Sequence, residues 1–167
     1  MRWSGLPWVL ALGACVGDGP EPEVPCGPVG DTPALQIGQH LAVDGPMQAG
    51  DDVGYGTPPQ GGAPYAPFEV RLQAVLGDPA SRVAARGSAV EVATGEVIGS
   101  VEQTQAFFCS NTGVHEGWLY GGEIHIRFWD EPLEALEGRE IDVRVEIDLP
   151  EGELVTAGGR GVLRAEL

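Results

Sequence analysis

From position 32 onward, apolar and polar residues alternate with a period of two, the signature of strands that bury one face. The clearest run covers 140–148. Ile141, Val143, Val145 and Ile147 point one way, and Asp142, Arg144, Glu146 and Asp148 the other. Ile124, Ile126 and Phe128 oppose Glu123, His125 and Arg127. Phe68, Val70, Leu72, Ala74 and Leu76 alternate with Glu69, Arg71 and Gln73. Shorter strands are expected at 35–37, 51–55, 89–93, 96–101, 105–109, 118–120 and 161–166. Thr94-Gly95 and Gly121-Gly122 predict tight hairpins in which glycine supplies a positive φ, and Pro150-Glu151-Gly152 predicts a further turn. Segment 130–138 breaks the alternation. Its leading acid, early proline and closing glycine predict a short helix near 131–137. Roughly eight to ten short strands at this spacing predict an all-β fold. The expected form is an antiparallel β-sandwich, immunoglobulin-like, with a partly open β-barrel as the alternative.

The chain has 167 residues, 43% of them apolar, which suits one domain and leaves no room for two full cores. Its 26 glycines and 14 prolines are many, but the apolar fraction is too high for wholesale disorder. No apolar run reaches the ~18 residues of a membrane-spanning helix. Nine basic residues, all arginine, stand against 25 acids, a net charge of −16. That balance repels nucleic acid and anionic headgroups, so neither is expected as a partner.

The N-terminus changes the picture. Arg2 precedes a short apolar stretch, Leu6 to Ala14, followed by Cys15, as in a secretory signal. Leu12-Gly13-Ala14-Cys15 resembles a bacterial lipobox. That resemblance implies removal of 1–14, a diacylglycerol on the Cys15 thiol and a further acyl chain on its new amine. Each buried methylene contributes about 0.8 kcal/mol, and stable anchorage needs more than one chain. The alternative is a plain secretory signal cut after Ala14. Residue 16 is Val and not Asp, which by the same resemblance implies sorting to the outer membrane. Residues 15–31 then form a lipidated, proline-, glycine- and acid-rich tether, and 32–167 a single β-sandwich domain. With Cys15 taken by lipid, Cys26 and Cys109 remain, an even count in an oxidising compartment, and they are expected to pair.

Leu35-Gln36-Ile37-Gly38, Gly50-Asp51-Asp52-Val53 and Gly56-Thr57-Pro58-Pro59-Gln60-Gly61-Gly62 together resemble a group of uncharacterised lipoproteins from myxobacteria and related lineages. The resemblance spans about residues 34–76. Gln36 stands where that group has an acid, and Ala63-Pro64-Tyr65-Ala66-Pro67 is a longer approach to the next strand. It implies an envelope location and a β-rich domain, and carries over no catalytic residues.

Candidate chemistry is thin. Gln60-Gly61-Gly62 has the look of a phosphate cradle, but Ala-Pro follows where a lysine or a helix start is required, so a turn is expected. His40, His115 and His125 lack the spacing of metal ligands, and two thiols make no zinc site; no metal or cofactor is expected. Cys109 and His115 lack the helix start and orienting group of a thiol protease, and no G-x-S-x-G elbow occurs. An enzyme is therefore not expected. Acids at Asp44, Asp51 and Asp52 and at Glu131, Glu134 and Glu137 invite calcium, although a solvated surface is the simpler account. Trp118 and Tyr120 on one strand offer a stacking platform for sugar, or a core pair. The expected function is a lipid-anchored envelope module, facing periplasm or cell surface, that binds an envelope protein or a glycan or serves structurally. The alternative is a calcium- or carbohydrate-binding adhesion domain.

Overall fold

The computed structural model describes Cys26 and residues 32–76, 82–110 and 115–165. The signal segment 1–14, Cys15 and the tether on either side of Cys26 lie outside the described residues. Nine strands and one helical turn follow in chain order. They are β1 (Ala34–Gly38), β2 (Asp51–Tyr55), β3 (Tyr65–Gln73), β4 (Arg82–Glu91), β5 (Val97–Ala106), β6 (Phe108–Cys109), β7 (Leu119–Arg127), α1 (Leu133–Leu136), β8 (Glu140–Asp148) and β9 (Leu154–Ala165). All strands belong to one curled sheet, in the order β1-β3-β7-β5-β4-β8-β9-β2, with β6 on the side of β7.

The two limbs of this sheet face each other and share one core, so the sandwich is made by curling one sheet on itself. From the first limb, Phe68, Val70 and Leu72 of β3 and Ile124 and Ile126 of β7 point inward. From the second come Ile141, Val143, Val145 and Ile147 of β8 and Ala85 and Ala89 of β4. All belong to a single buried cluster. The long alternating runs thus bury the faces that their period assigns them.

One strand pair departs from the antiparallel expectation. β2 runs parallel to β9, from Asp51↔Gly161 to Tyr55↔Ala165. The chain from β1 to β2 passes from one limb to the other through a turn closed by His40, whose carbonyl accepts from the Val43 and Asp44 amides (2.9 and 2.8 Å). The far end of the sheet is then sewn to its beginning. Gln39 Nε2 donates to the carbonyls of Gly54 (2.6 Å) and Pro67 (3.2 Å), and the Gly54 amide donates back to Gln39 Oε1 (2.6 Å). Gly56 and Tyr65 complete the seam with a two-hydrogen-bond bridge. A side-chain amide has the donor and acceptor of a peptide group, so it stands in for a ladder rung.

Local differences have plain causes. Gly121-Gly122 makes no hairpin. β7 runs straight through it, and the register against β3 slips between Val70↔Gly122 and Arg71↔Tyr120. The extra residue is a bulge: Gly122 takes φ 75°, and a Cβ on Gly121 would fall 2.6 Å from the buried Phe107 ring. Thr94-Gly95 does lie in the β4–β5 hairpin, with Gly95 at φ 74°, and Gly152 turns β8 into β9 at φ 82°. The expected strands at 96–101 and 105–109 divide differently, into β5 and the two-residue β6. The helix shrinks to one turn, with Pro132 as N-cap and no side-chain cap in place of the expected acid. Two strands are longer than expected. β4 begins at Arg82 and β9 at Leu154, because small residues there blur the alternation.

Candidate functional site

Cys26 and Cys109 form a disulfide with Cα atoms 5.5 Å apart, across a sequence separation of 83. Cys26 also packs on the core and rests 3.3 Å from the Trp118 carbonyl oxygen. A bonded sulfur carries no proton, so this is a packing contact. The bridge fastens the segment ahead of β1 to the β6–β7 edge and removes Cys109 as a partner for His115.

Trp118 and Tyr120 lie half-buried on the outer face of the first limb, where the structure covers both rings. The Arg71 guanidinium sits 4.8 Å from the Trp118 ring centre and donates to Gln36 Oε1 (2.8 Å). Tyr120 stacks on His115 (4.4 Å between ring centres), and its hydroxyl donates to Glu69 (3.4 Å). Burial pushes the Tyr120 phenol up, and the Glu69 carboxylate adds to the effect. The pair is neither core nor open platform.

The histidines stay apart. His40 is exposed beyond β1, and His115 is held on Tyr120. His125 lies on the wet face of β7, 2.9 Å from Glu123 and 4.7 Å between ring centres from Tyr65. No group of three or more His, Cys, Asp or Glu converges to hold a metal among the described residues. Gln60-Gly61-Gly62 is an exposed turn, with the Gly61 amide bonded to the Pro58 carbonyl (2.8 Å).

Several of the acids are matched to arginines. On the outer face of the second limb, Arg86 forks onto Asp148 (2.8 and 2.8 Å) and Arg160 onto Asp142 (2.8 and 3.0 Å). Arg139 meets Glu131 (2.8 Å), and Arg164 reaches both Asp52 (3.1 Å) and Glu137 (3.3 Å). Asp51 accepts from the Gln48 amide (2.7 Å) and closes a turn. These pairings take up oxygens that calcium would need.

They also set a pH dependence. The Ala165 amide (2.7 Å), aided by Arg164, holds the Glu137 carboxyl below its ordinary value, and Arg160 does the same for Asp142. Such a carboxyl contributes stability that is complete above its unfolded value, about 4.3 for Glu, and lost as pH falls through the folded one. Glu137→Gln is therefore expected to lower stability at neutral pH, with the gap to wild type closing below about pH 4. Denaturant melts of both proteins at neutral and acid pH check this, and a constant gap would refute it.

One feature has no counterpart in the pattern of the sequence. β5 and β7 pair only at Ser100↔Arg127, and β6 reaches β7 at Phe108↔Tyr120. Between these two points the sheet opens. Gln103 Nε2 spans part of the gap, donating to Gln105 Oε1 (2.6 Å) and to the Glu123 carbonyl (3.4 Å). A hollow of about 380 Å³ lies there, bordered by Ser100, Glu102, Gln103, His125, Arg127 and Trp129. Trp129 is 61% exposed, with the Arg127 guanidinium 5.2 Å from its ring centre. The local signal was present, since Trp129 falls just past a strand where no core position is expected, but nothing in the sequence placed it beside Gln103.

No helix among the described residues is long and apolar enough to cross a membrane. No family model matches the chain, and no curated protein matches it. Among solved structures, that of murine CRIg is similar at a TM-score of 0.36 and 10% identity, covering 82% of this chain and 100% of that one. A likeness of that size carries no argument about function.

Proposed function

We propose that the chain is a cell-envelope lipoprotein, anchored through Cys15, whose β-sandwich works as a non-enzymatic binding module. The Cys26–Cys109 disulfide carries this reading. It belongs to an oxidising compartment. It also joins the chain eleven residues after Cys15 directly to the body of the domain, so load on an anchor would pass into the sheet. The lipobox-like tetrad and the likeness to myxobacterial-type lipoproteins support the same location, the outer membrane, facing periplasm or surface. A net charge of −16 argues for partners other than nucleic acid. An envelope protein or a glycan is the partner we expect. Of the two adhesion ligands that the sequence suggests, carbohydrate is favoured over calcium, because Asp52, Glu131 and Glu137 are already paired with arginines.

Cell fractionation tests the anchor. Wild type is expected in the membrane fraction, and Cys15→Ala in the soluble fraction. Retention of Cys15→Ala with the membrane, or a soluble wild type, would overturn the lipoprotein reading.

A further inference from the structure

The opening between β5 and β7 combines features that a neutral sugar chain would recognise. Trp129 is 61% exposed at the mouth of this hollow, and its ring is held in place by the Arg127 guanidinium. An indole face suits the C–H face of a pyranose ring. Around it stand groups that match hydroxyls, which both donate and accept: the Gln103 amide, the His125 imidazole, the Glu102 carboxylate and the Ser100 hydroxyl. A second hollow of about 400 Å³ adjoins the first, sharing Ser100, Val101 and Glu102 and continuing to Arg144 and Glu146. Each volume lies within the ~300–1,000 Å³ typical of ligand sites, and together they form a groove long enough for more than one ring. Charge narrows the class. Arg144 is engaged with Glu146 (2.9 Å) and Arg127 with the Trp129 ring, and the chain as a whole repels anions.

We propose that this groove binds a neutral pyranose oligosaccharide, with Trp129 as the stacking surface and Gln103, His125 and Glu102 as hydrogen-bonding groups. The inference rests on the reading of the domain as a binding module.

Calorimetric titration of the full chain in detergent with cellohexaose, chitohexaose and, for contrast, an oligogalacturonate tests it. Binding is expected with at least one neutral sugar and to be far weaker with the charged one. Trp129→Ala and Gln103→Ala are each expected to weaken binding by about tenfold or more. Trp118→Phe, on the covered aromatic pair, should leave the affinity unchanged. Absence of binding to both neutral sugars, equal binding of the charged one, or unchanged affinity in Trp129→Ala would overturn the proposal. Trp129 is largely exposed, so its loss leaves the fold intact, and an unchanged circular dichroism melt verifies that. The fractionation of Cys15→Ala reads the anchor independently, so failure of the groove and failure of the envelope reading are told apart.

Discussion

Val145→Asp unfolds the domain, whereas Arg144→Ser, one residue away, leaves it folded. Val145 is fully buried in β8, between the two limbs of the sheet, and Val143 is 3% exposed beside it. An aspartate at either position has no arginine within the core to meet it. Burying an unpaired charge costs several kcal/mol, here about 4 or more, against the roughly 5–15 kcal/mol that holds a domain of this size together. Arg144 faces solvent with its side chain 60% exposed and loses only its ion pair with Glu146 (2.9 Å). Exposed pairs of this kind contribute about 0–1 kcal/mol. Denaturant melts of the three variants measure the contrast. Equal losses at 143, 144 and 145 would refute the assignment of faces, and with it the sandwich built on them.

Replacing both bridged cysteines, Cys26→Ser with Cys109→Ser, is expected to cost about 2–4 kcal/mol. Chain-entropy arithmetic for a loop of this length gives a ceiling near 4.5 kcal/mol, and real bridges fall short of it. For a domain of this size that lowers Tm by roughly 5–15 °C. The loss should be local as well as global. Cys109 pairs with Leu119 in the short β6–β7 contact, so amide exchange along β7 should quicken near that end. Reductant should shift the wild-type melt and leave the double variant unmoved. Equal melting of the two oxidised proteins would show that the bridge contributes nothing to the fold.

The faces of β3 and β8 were legible because apolar and polar residues alternate without a break over 68–73 and 140–148, so neighbours in sequence suffice to say which side is apolar; the first three residues of β3, Tyr65-Ala66-Pro67, carry no such pattern. The short helical turn before β8 and the turns at Gly95 and Gly152 were legible for the same local reason. The Cys26–Cys109 bond is the pairing expected from the sequence if Cys15 carries lipid, since that leaves two thiols and one way to join them.

The glycine positions show where local reasoning ends. Gly121-Gly122 has the composition of a hairpin, but the chain around it is held straight by β3 on one side and by Phe107 below. The segment 154–160 lies outside the strands that alternation predicts. It is a strand because β8 pairs with it along its whole length. The glycines of β9 let Met47 and Val53 approach so closely that a Cβ on Gly159 or Gly161 would fall within 3 Å of them. The polar half of the candidate groove was legible only as a wet strand face, since His125 and Arg127 point outward by period alone.

By itself the sequence determined which positions of the long alternating strands face the core and that the fold is nearly all β. Only the tertiary structure decided that β2 runs parallel to β9, that Gln39 closes the sheet, and that Trp129 stands beside Gln103 across an unpaired gap. The physical reason is one of range. Alternation and turn chemistry act over a few residues, whereas strand direction, closure and a groove between β5 and β7 depend on segments tens of residues apart and on how one shared core lets them pack.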